Sequence, residues 1–158
     1  QRYDEMKYRA LLDQMTEVRG YLLQSANGLS PDQLLTIPNG FSNNILWNLG
    51  HVITDNCTML YPPTGNPFPL PDHYLRWFAP GTSPTDWTDS PSISEVLNEG
   101  VRLRDQLVED CIAGRMEQYE RQEYEDGIVL ENIAQAIAHS NVHEGVHLGV
   151  ILCLRKFV

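Results

Sequence analysis

The amino-acid sequence predicts an all-α fold, a four-helix bundle with a long crossover between its second and third helices. Three observations predict it. Apolar residues recur at helical spacing in four stretches. Strand-like alternation is confined to one short segment, Gln118 to Val129. A proline-rich segment separates the first pair of helices from the second. Four helices joined by one long crossover suit a bundle better than any sheet architecture. The 158 residues, 42% of them apolar, are read as one domain spanning 1–158. A chain of that size buries roughly 68–70% of its unfolded surface.

The first helix is expected from about Tyr3 to Asn27, because Leu11, Met15, Val18 and Leu22 share one face. Asn27-Gly28 stops it. Ser30-Pro31-Asp32-Gln33 then reads as a short new start, with Ser30 as cap, Pro31 at the first helical position and Gln33 closing a capping box. Pro38 ends it. The second bundle helix is expected to begin near Ser42, with Phe41 and Leu46 as a hydrophobic staple, and to run through Ile45, Leu49, Val52 and Ile53 to about Leu60.

Tyr61 to Pro91 has no period. Seven of the ten prolines lie between Pro62 and Pro84. The segment also holds Phe68, Tyr74, Trp77, Phe78 and Trp87, too many aromatics for a disordered linker. It is expected to pack on the body, with a helical turn around Asp72–Phe78. Loops this long often form lids or mouths of sites. The third bundle helix starts at Ser90-Pro91 or one step later at a Ser92–Glu95 box. Its buried stripe is Ile93, Val96, Gly100, Leu103, Leu107 and Cys111. Asp126-Gly127 marks a turn, so Gln118 to Val129 reads as a short hairpin. The last helix is expected from about Leu130 to Lys156. Ile133, Ile137, Ser140, Glu144, His147, Ile151 and Leu154 form one of its lines. Ala136, His139, His143, His147, Val150 and Leu154 form the next. Arg155 and Lys156 suit its C-terminal end.

The formal net charge is −10. Such a chain repels phosphate backbones, which argues against nucleic acid as partner. No apolar run approaches the ~20 residues of a membrane span. Gln1 to Glu5 are polar and no apolar leader follows them. Cys57, Cys111 and Cys153 are sparse and odd in number, which fits a reducing, cytoplasmic setting, and each reads as a small buried apolar residue.

The chemistry lies in the histidines. His139, His143 and His147 fall four apart on one helix face. His143 and His147, one turn apart, can chelate one ion. His139 and His147 are about 12 Å apart along the axis at ~1.5 Å per residue, too far for ~2 Å metal–nitrogen bonds to bridge. A further ligand must therefore come from another helix. His51 is the candidate, in the apolar context Trp47-Asn48-Leu49-Gly50-His51-Val52-Ile53. His139 is either a supporting neighbour or uninvolved. His73, in the crossover, reads as an exposed polar residue.

His143-Glu144-Gly145-Val146-His147 also matches the zinc-protease pattern H-E-x-x-H, in which Glu144 would be the general base. Only eleven residues follow His147, leaving no room for the usual downstream ligand. The upstream region lacks strands to hold a peptide. The protease reading is set aside on both counts.

Asn44-Ile45-Leu46-Trp47-Asn48-Leu49-Gly50-His51-Val52 resembles the second-helix signature of the DinB/YfiT-like superfamily of metal-dependent enzymes. Asn141-Val142-His143-Glu144-Gly145-Val146-His147-Leu148-Gly149, followed by Ile151 and Leu154-Arg155, resembles its last-helix signature. The resemblance covers the whole chain. It implies an up-down-down-up bundle, commonly a homodimer, with one divalent metal ion per chain, zinc or nickel. Carried over by position, the ligands are His51, His143 and His147. The chain departs from the family at Leu148-Gly149-Val150, where many relatives carry an Arg-Gly-Gln run after the last ligand, so substrate contacts are not carried over. Some branches resemble thiol-dependent S-transferases and isomerases that use low-molecular-weight thiols. Others look like hydrolases.

Three neutral imidazoles leave a divalent ion with open coordination positions, as in catalytic rather than closed structural sites. An open position lowers the pKa of water or holds a thiol as thiolate. The expected function is therefore a metalloenzyme acting on a small molecule by metal-activated thiol transfer or hydrolysis. The alternative is a non-catalytic metal-binding or stress-response bundle whose metal is structural or vestigial. Asn48 or Glu144 could orient a ligand ring, and Glu144 is the candidate catalytic base, its bland alternative being a surface carboxylate. Trp47, Tyr61, Trp77 and Trp87 serve either a pocket mouth or the core.

Overall fold

The computed structural model describes residues 8–158. The expected helix start at Tyr3 lies outside them. The first helix, α1, runs Arg9–Gln24 and buries Leu12, Met15, Arg19 and Leu22. Met15 and Leu22 are buried as expected, but Leu12 and Arg19 take the places expected of Leu11 and Val18, which brings Arg19 into the core. Helix α2, Pro31–Leu35, has the predicted capping box. Ser30 Oγ accepts from the Gln33 amide at 3.2 Å and Gln33 Oε1 accepts from the Ser30 amide at 2.9 Å.

Helix α3, Ile45–Leu60, begins later than expected because Asn44, not Ser42, caps it. Asn44 Oδ1 accepts from the Trp47 amide at 2.7 Å. Phe41 therefore falls outside the staple position and packs instead on Phe157, with ring centroids 5.4 Å apart. Nearly the whole of α3 is buried, so it is the central helix of the molecule.

The crossover is ordered, as its aromatics predict. A 3₁₀ turn at Pro62–Thr64 leads to helix α4, His73–Phe78, and a further 3₁₀ turn at Pro84–Asp86. Tyr74 and Phe78 are fully buried, and α4 packs on α3. Buried ring nitrogens need acceptors, and the loop supplies them. Trp47 Nε1–H donates to Thr82 Oγ1 at 3.0 Å, Trp87 Nε1–H to the Trp77 carbonyl at 3.2 Å, and Trp77 Nε1–H to Asp89 at 3.2 Å.

Helix α5, Ile93–Ile112, takes the later of the two expected starts, with Ser92 capping the Glu95 amide. The hairpin is two residues per strand: β1, Gln122–Glu123, pairs antiparallel with β2, Val129–Leu130. Gly127 sits in its turn at φ +86°, a conformation that costs glycine little. Helix α6, Ile133–Leu154, is capped by Asn132. Arg155 does not serve the end of its own helix. Its guanidinium donates to the carbonyls of Ser25 and Asn27, just beyond α1, where a helix end favours a cation.

Four long helices form a ring: α6 packs against α1 and α3, and α5 packs against the same two. The fold is all-α apart from the small hairpin. Cys57 and Cys111 are buried, and burial pushes each thiol up to about 12. Cys153 is exposed, contrary to the expectation of three core thiols, because it lies on the outer face of α6. Among the described residues no helix is long and apolar enough to cross a membrane.

Candidate metal centre

Helices α3 and α6 bring His51, His143 and His147 together. One nitrogen from each lies within 4.8 Å of the other two. His51 Nε2 is 3.3 Å from His143 Nε2. Tetrahedral ligation at ~2.05 Å spaces nitrogens roughly 3.4 Å apart, so this pair already stands at metal-ligand separation.

The tautomers follow from the partners of the other ring nitrogens. His51 Nδ1 lies 2.7 Å from the carbonyl oxygen of Phe78. A carbonyl only accepts, so Nδ1 carries the hydrogen and Nε2 of the neutral ring carries a lone pair. His147 Nδ1 lies 2.8 Å from Asn48 Oδ1. The Asn48 amide donates to the Asn44 carbonyl at 2.8 Å and to Asn43 Oδ1 at 2.9 Å, which turns its oxygen toward His147. His143 Nδ1 stands 3.5 Å from Asp55 Oδ2. The rings of His51 and His147 thus have a hydrogen-bond acceptor at Nδ1, and that of His143 has a carboxylate near it, so all three turn Nε2 to the common centre, the arrangement that orients metal-bound histidines.

Two neutral lone pairs 3.3 Å apart repel each other. His51 is only 6% exposed, and its Nε2 faces another acceptor rather than a donor. A divalent cation between the rings removes that conflict, so the donor set fits a metal ion. Burial lowers the His143 pKa. Burial, then the neighbouring His143 and His51, lowers that of His147 to about 3. Both rings are therefore neutral and ready to ligate at neutral pH.

Packing also places His51. Trp47 lies almost parallel to its ring, with centroids 4.6 Å apart and an interplanar angle of 8°. Gly50 is the reason Phe78 comes so close. A Cβ there would stand 2.3 Å from Phe78 Cε1, so only glycine lets α4 approach near enough for its last carbonyl to reach His51.

The other predicted residues lie elsewhere. Glu144 is fully buried, not a surface carboxylate. It forms an ion pair with Arg19 of α1, while Arg19 Nη1–H donates to the Gly100 carbonyl at 3.0 Å. The H-E-x-x-H arrangement of a zinc protease is therefore not assembled. Asn48 does hydrogen-bond one of the three rings, that of His147. Trp77 and Tyr61 are buried; the Tyr61 hydroxyl donates to Asp110 at 2.8 Å. His73 is partly exposed against Trp77 and takes no part in the centre. His139 is outside the three-histidine group but lines the cleft beside it.

That cleft, a cavity of about 260 Å³, has His143, His139 and Asp55 on one side and Pro80, Tyr124 and Asp126 on the other. The crossover and the hairpin thus frame the approach. Sequence reasoning missed Asp55, although it lies four residues after His51 on the same helix. It also missed the Phe78 carbonyl, which carries no side-chain signal at all.

The model of the DinB superfamily matches residues 14–151. No curated protein matches the chain.

Proposed function

The chain belongs to the DinB superfamily, and from that premise we propose that it is a metalloenzyme acting on a small molecule. In this reading residues 1–158 are one domain, and the four long helices are an up-down-down-up bundle. One divalent ion, zinc or nickel, is held by His51, His143 and His147. The ion supplies Lewis acidity and stabilises the deprotonated form of a water or thiol at its open face.

The protein's own residues do the rest. Phe78, Asn48 and Asp55 fix the three ring orientations. Trp47 walls the site on one side and keeps His51 dry. The crossover and hairpin admit a small molecule to the cleft and exclude a large one. Glu144, engaged by Arg19, acts here as an anchor of α6 and not as a base. The observation that carries this reading is the convergence of three Nε2 atoms beside an open cleft. A closed structural site needs a fourth protein ligand, and among the described residues His139, the nearest candidate, is not in the group.

Thiol transfer and hydrolysis both follow from such a centre. The reading extends to a cytoplasmic homodimer. Exposed Tyr21, Val142, Val146 and Leu152 on the outer faces of α1 and α6 provide apolar surface for it. The test is metal analysis of tag-free protein beside its His51→Ala variant. About one ion per chain, lost in the variant, is the expected result and justifies screening thiol-transfer and hydrolytic substrates. No bound ion in either protein, even after incubation with zinc or nickel, overturns the reading.

A further inference from the structure

The outer face of α6 carries no charge. Between Ala138 and Cys153 its exposed residues are Val142, Gly145, Val146, Gly149, Leu152 and Cys153. Glu144, the one Asp, Glu, Lys or Arg of this helix, is fully buried. Val142, Val146 and Leu152 are each at least half exposed. At ~1.5 Å per residue the strip is roughly 17 Å long. A continuous apolar surface of this kind marks a contact with something. Two copies of a chain with net charge −10 repel each other, and contact through this strip brings no like charges together at short range.

The order of residues along the strip suits a second copy of itself. Val142 and Leu152 stand five positions to either side of His147, and Gly145 and Gly149 stand two. A two-fold axis sets one patch against the same patch of its partner. With the helices antiparallel about the level of His147, the partner's Leu152 falls beside Val142 and the partner's Gly149 beside Gly145. Nothing lies within 4 Å of a Cβ at either glycine, and glycines at a crossing let two helix backbones approach closely. Leu152 leans toward α1, since it borders a hollow with Tyr21 and Gln24. The partner's Leu152 therefore enters a second hollow, about 280 Å³ in volume, between Val142 and the α1 residues Val18 and Tyr21. A standard interface takes ~800 Å² per partner, about a tenth of the 8223 Å² surface of this protein. The adjoining edge of α1, where Tyr21 is 53% exposed, widens the strip, and the same axis sets that edge against its counterpart. We propose that a second copy of the chain covers this face, its α6 antiparallel to the first and crossing it at Gly145 and Gly149. This inference rests on the homodimer reading above and assigns its interface. The partner thus backs the helix that presents His143 and His147.

The test is sedimentation velocity of the full chain at about 1 to 100 μM, a range that brackets a micromolar Kd. The expected species has twice the 18.0 kDa chain mass. Gly149→Leu, which the single chain has room for, should block the crossing. Val146→Glu should oppose two like charges across the axis. Each is expected to weaken dimerisation about 100-fold or more, with helicity by circular dichroism unchanged. Val101→Glu, at an exposed apolar position of α5, should leave the dimer intact. Orientation is read by oxidation. Antiparallel pairing holds the two Cys153 residues roughly 18 Å apart along the axis, beyond the ~7 Å Cα limit for a disulfide, so the parent should not cross-link. Val142→Cys/Leu152→Cys in a Cys153→Ser background should cross-link into a covalent dimer. A parent that sediments as a monomer throughout would refute the homodimer reading and this interface with it; flotation of that monomer with phosphatidylcholine vesicles would assign the strip to a lipid surface. A dimer that survives both Gly149→Leu and Val146→Glu, or that Val101→Glu disrupts as strongly, would leave the homodimer standing and overturn this interface. Cross-linking of the parent through Cys153 would overturn the antiparallel pairing.

Discussion

Replacing Gly50 by alanine adds one methyl group on the residue next to His51, and its effect can be worked out from the packing. The new Cβ would lie 2.3, 2.4 and 2.5 Å from three carbons of the Phe78 ring. Carbon atoms rest at ~3.5–4.0 Å, so the ring must retreat by roughly 1.2–1.7 Å. Phe78 is fully buried and hemmed in by Tyr74, Trp77 and Trp87, with centroids 5.7, 6.0 and 5.8 Å away. It cannot move without α4. The carbonyl of the same residue holds His51 Nδ1–H at 2.7 Å, and a retreat of that size takes it out of hydrogen-bonding reach. Overpacking costs about 1–3 kcal/mol, partly offset by up to ~1 kcal/mol from the better helix propensity of alanine. The larger effect falls on the metal. Loss of an orienting partner typically weakens metal affinity about 10–100-fold.

Competition with a chromophoric zinc chelator measures that loss, and circular dichroism verifies that the helices persist. Gly145→Ala is the matched control. Nothing lies within 4 Å of a Cβ at that position of α6, so it should gain ~0.5–1 kcal/mol in stability and leave affinity unchanged. A Gly50→Ala protein that binds zinc within two-fold of the parent would refute the argument from close approach.

His143→Ala and His147→Ala should each abolish stoichiometric metal binding. They should also remove the metal-dependent rise in Tm, about 5–11 °C for an ion at 100 times its Kd; His73→Ala should do neither, and equal metal content in all three would refute the ligand assignment. Metal-free protein should lose stability as pH falls from 6.5. The folded-state pKa of His147, about 3, and that of His143 lie below the unfolded value of ~6.5, so the unfolded chain binds the extra protons and stability is full only above that value. Thermal melts between pH 7.5 and 5.5 check this, above the ordinary carboxylate range, and a His143→Gln/His147→Gln variant should flatten the slope. Arg19→Met should cost about 3–5 kcal/mol in urea denaturation, because Glu144 then holds a buried charge without a partner.

Much of the centre was legible because its signals are local. Capping at Ser30 and Ser92 depends on residues three apart, and two histidines one helical turn apart are neighbours whatever surrounds them. Asn44 was missed as a cap because Ser42 offered the same chemistry two residues earlier. What orients the ligands was illegible for a different reason. The Phe78 carbonyl is a backbone atom, and it reaches His51 only because Gly50 lets α4 settle. Asn48 lies one turn from His51, yet its oxygen spans helices to His147, since its own amide is drawn back to Asn43 and Asn44. Arg19 stands outside the apolar line Leu11, Met15, Val18 and Leu22 that the sequence offers. Its partner lies 125 positions away, a distance over which periodicity carries no information.

That partner bears on how α6 presents its histidines. Successive residues on a helix turn by about 100°, so Glu144 faces α1 and α5 while His143 and His147 face α3. Apolar patterning does little to hold that rotation, because α6 carries apolar side chains on its outer face too, with Val142 67% and Val146 59% exposed. The buried ion pair does discriminate. Any turn of α6 that moves Glu144 from Arg19 leaves two charges unpaired in the core, at a cost of several kcal/mol. Register is the best-attested use of such pairs, and it separates stability from function in one experiment. Arg19→Met/Glu144→Met fills the same space without charge and should recover most of the stability lost in Arg19→Met alone. Its zinc affinity should remain at least ten-fold below the parent's, because nothing then favours the rotation that aims both histidines at His51. A double variant that recovers stability and affinity together would show that packing alone sets the helix, and the ion pair would have no part in building the site.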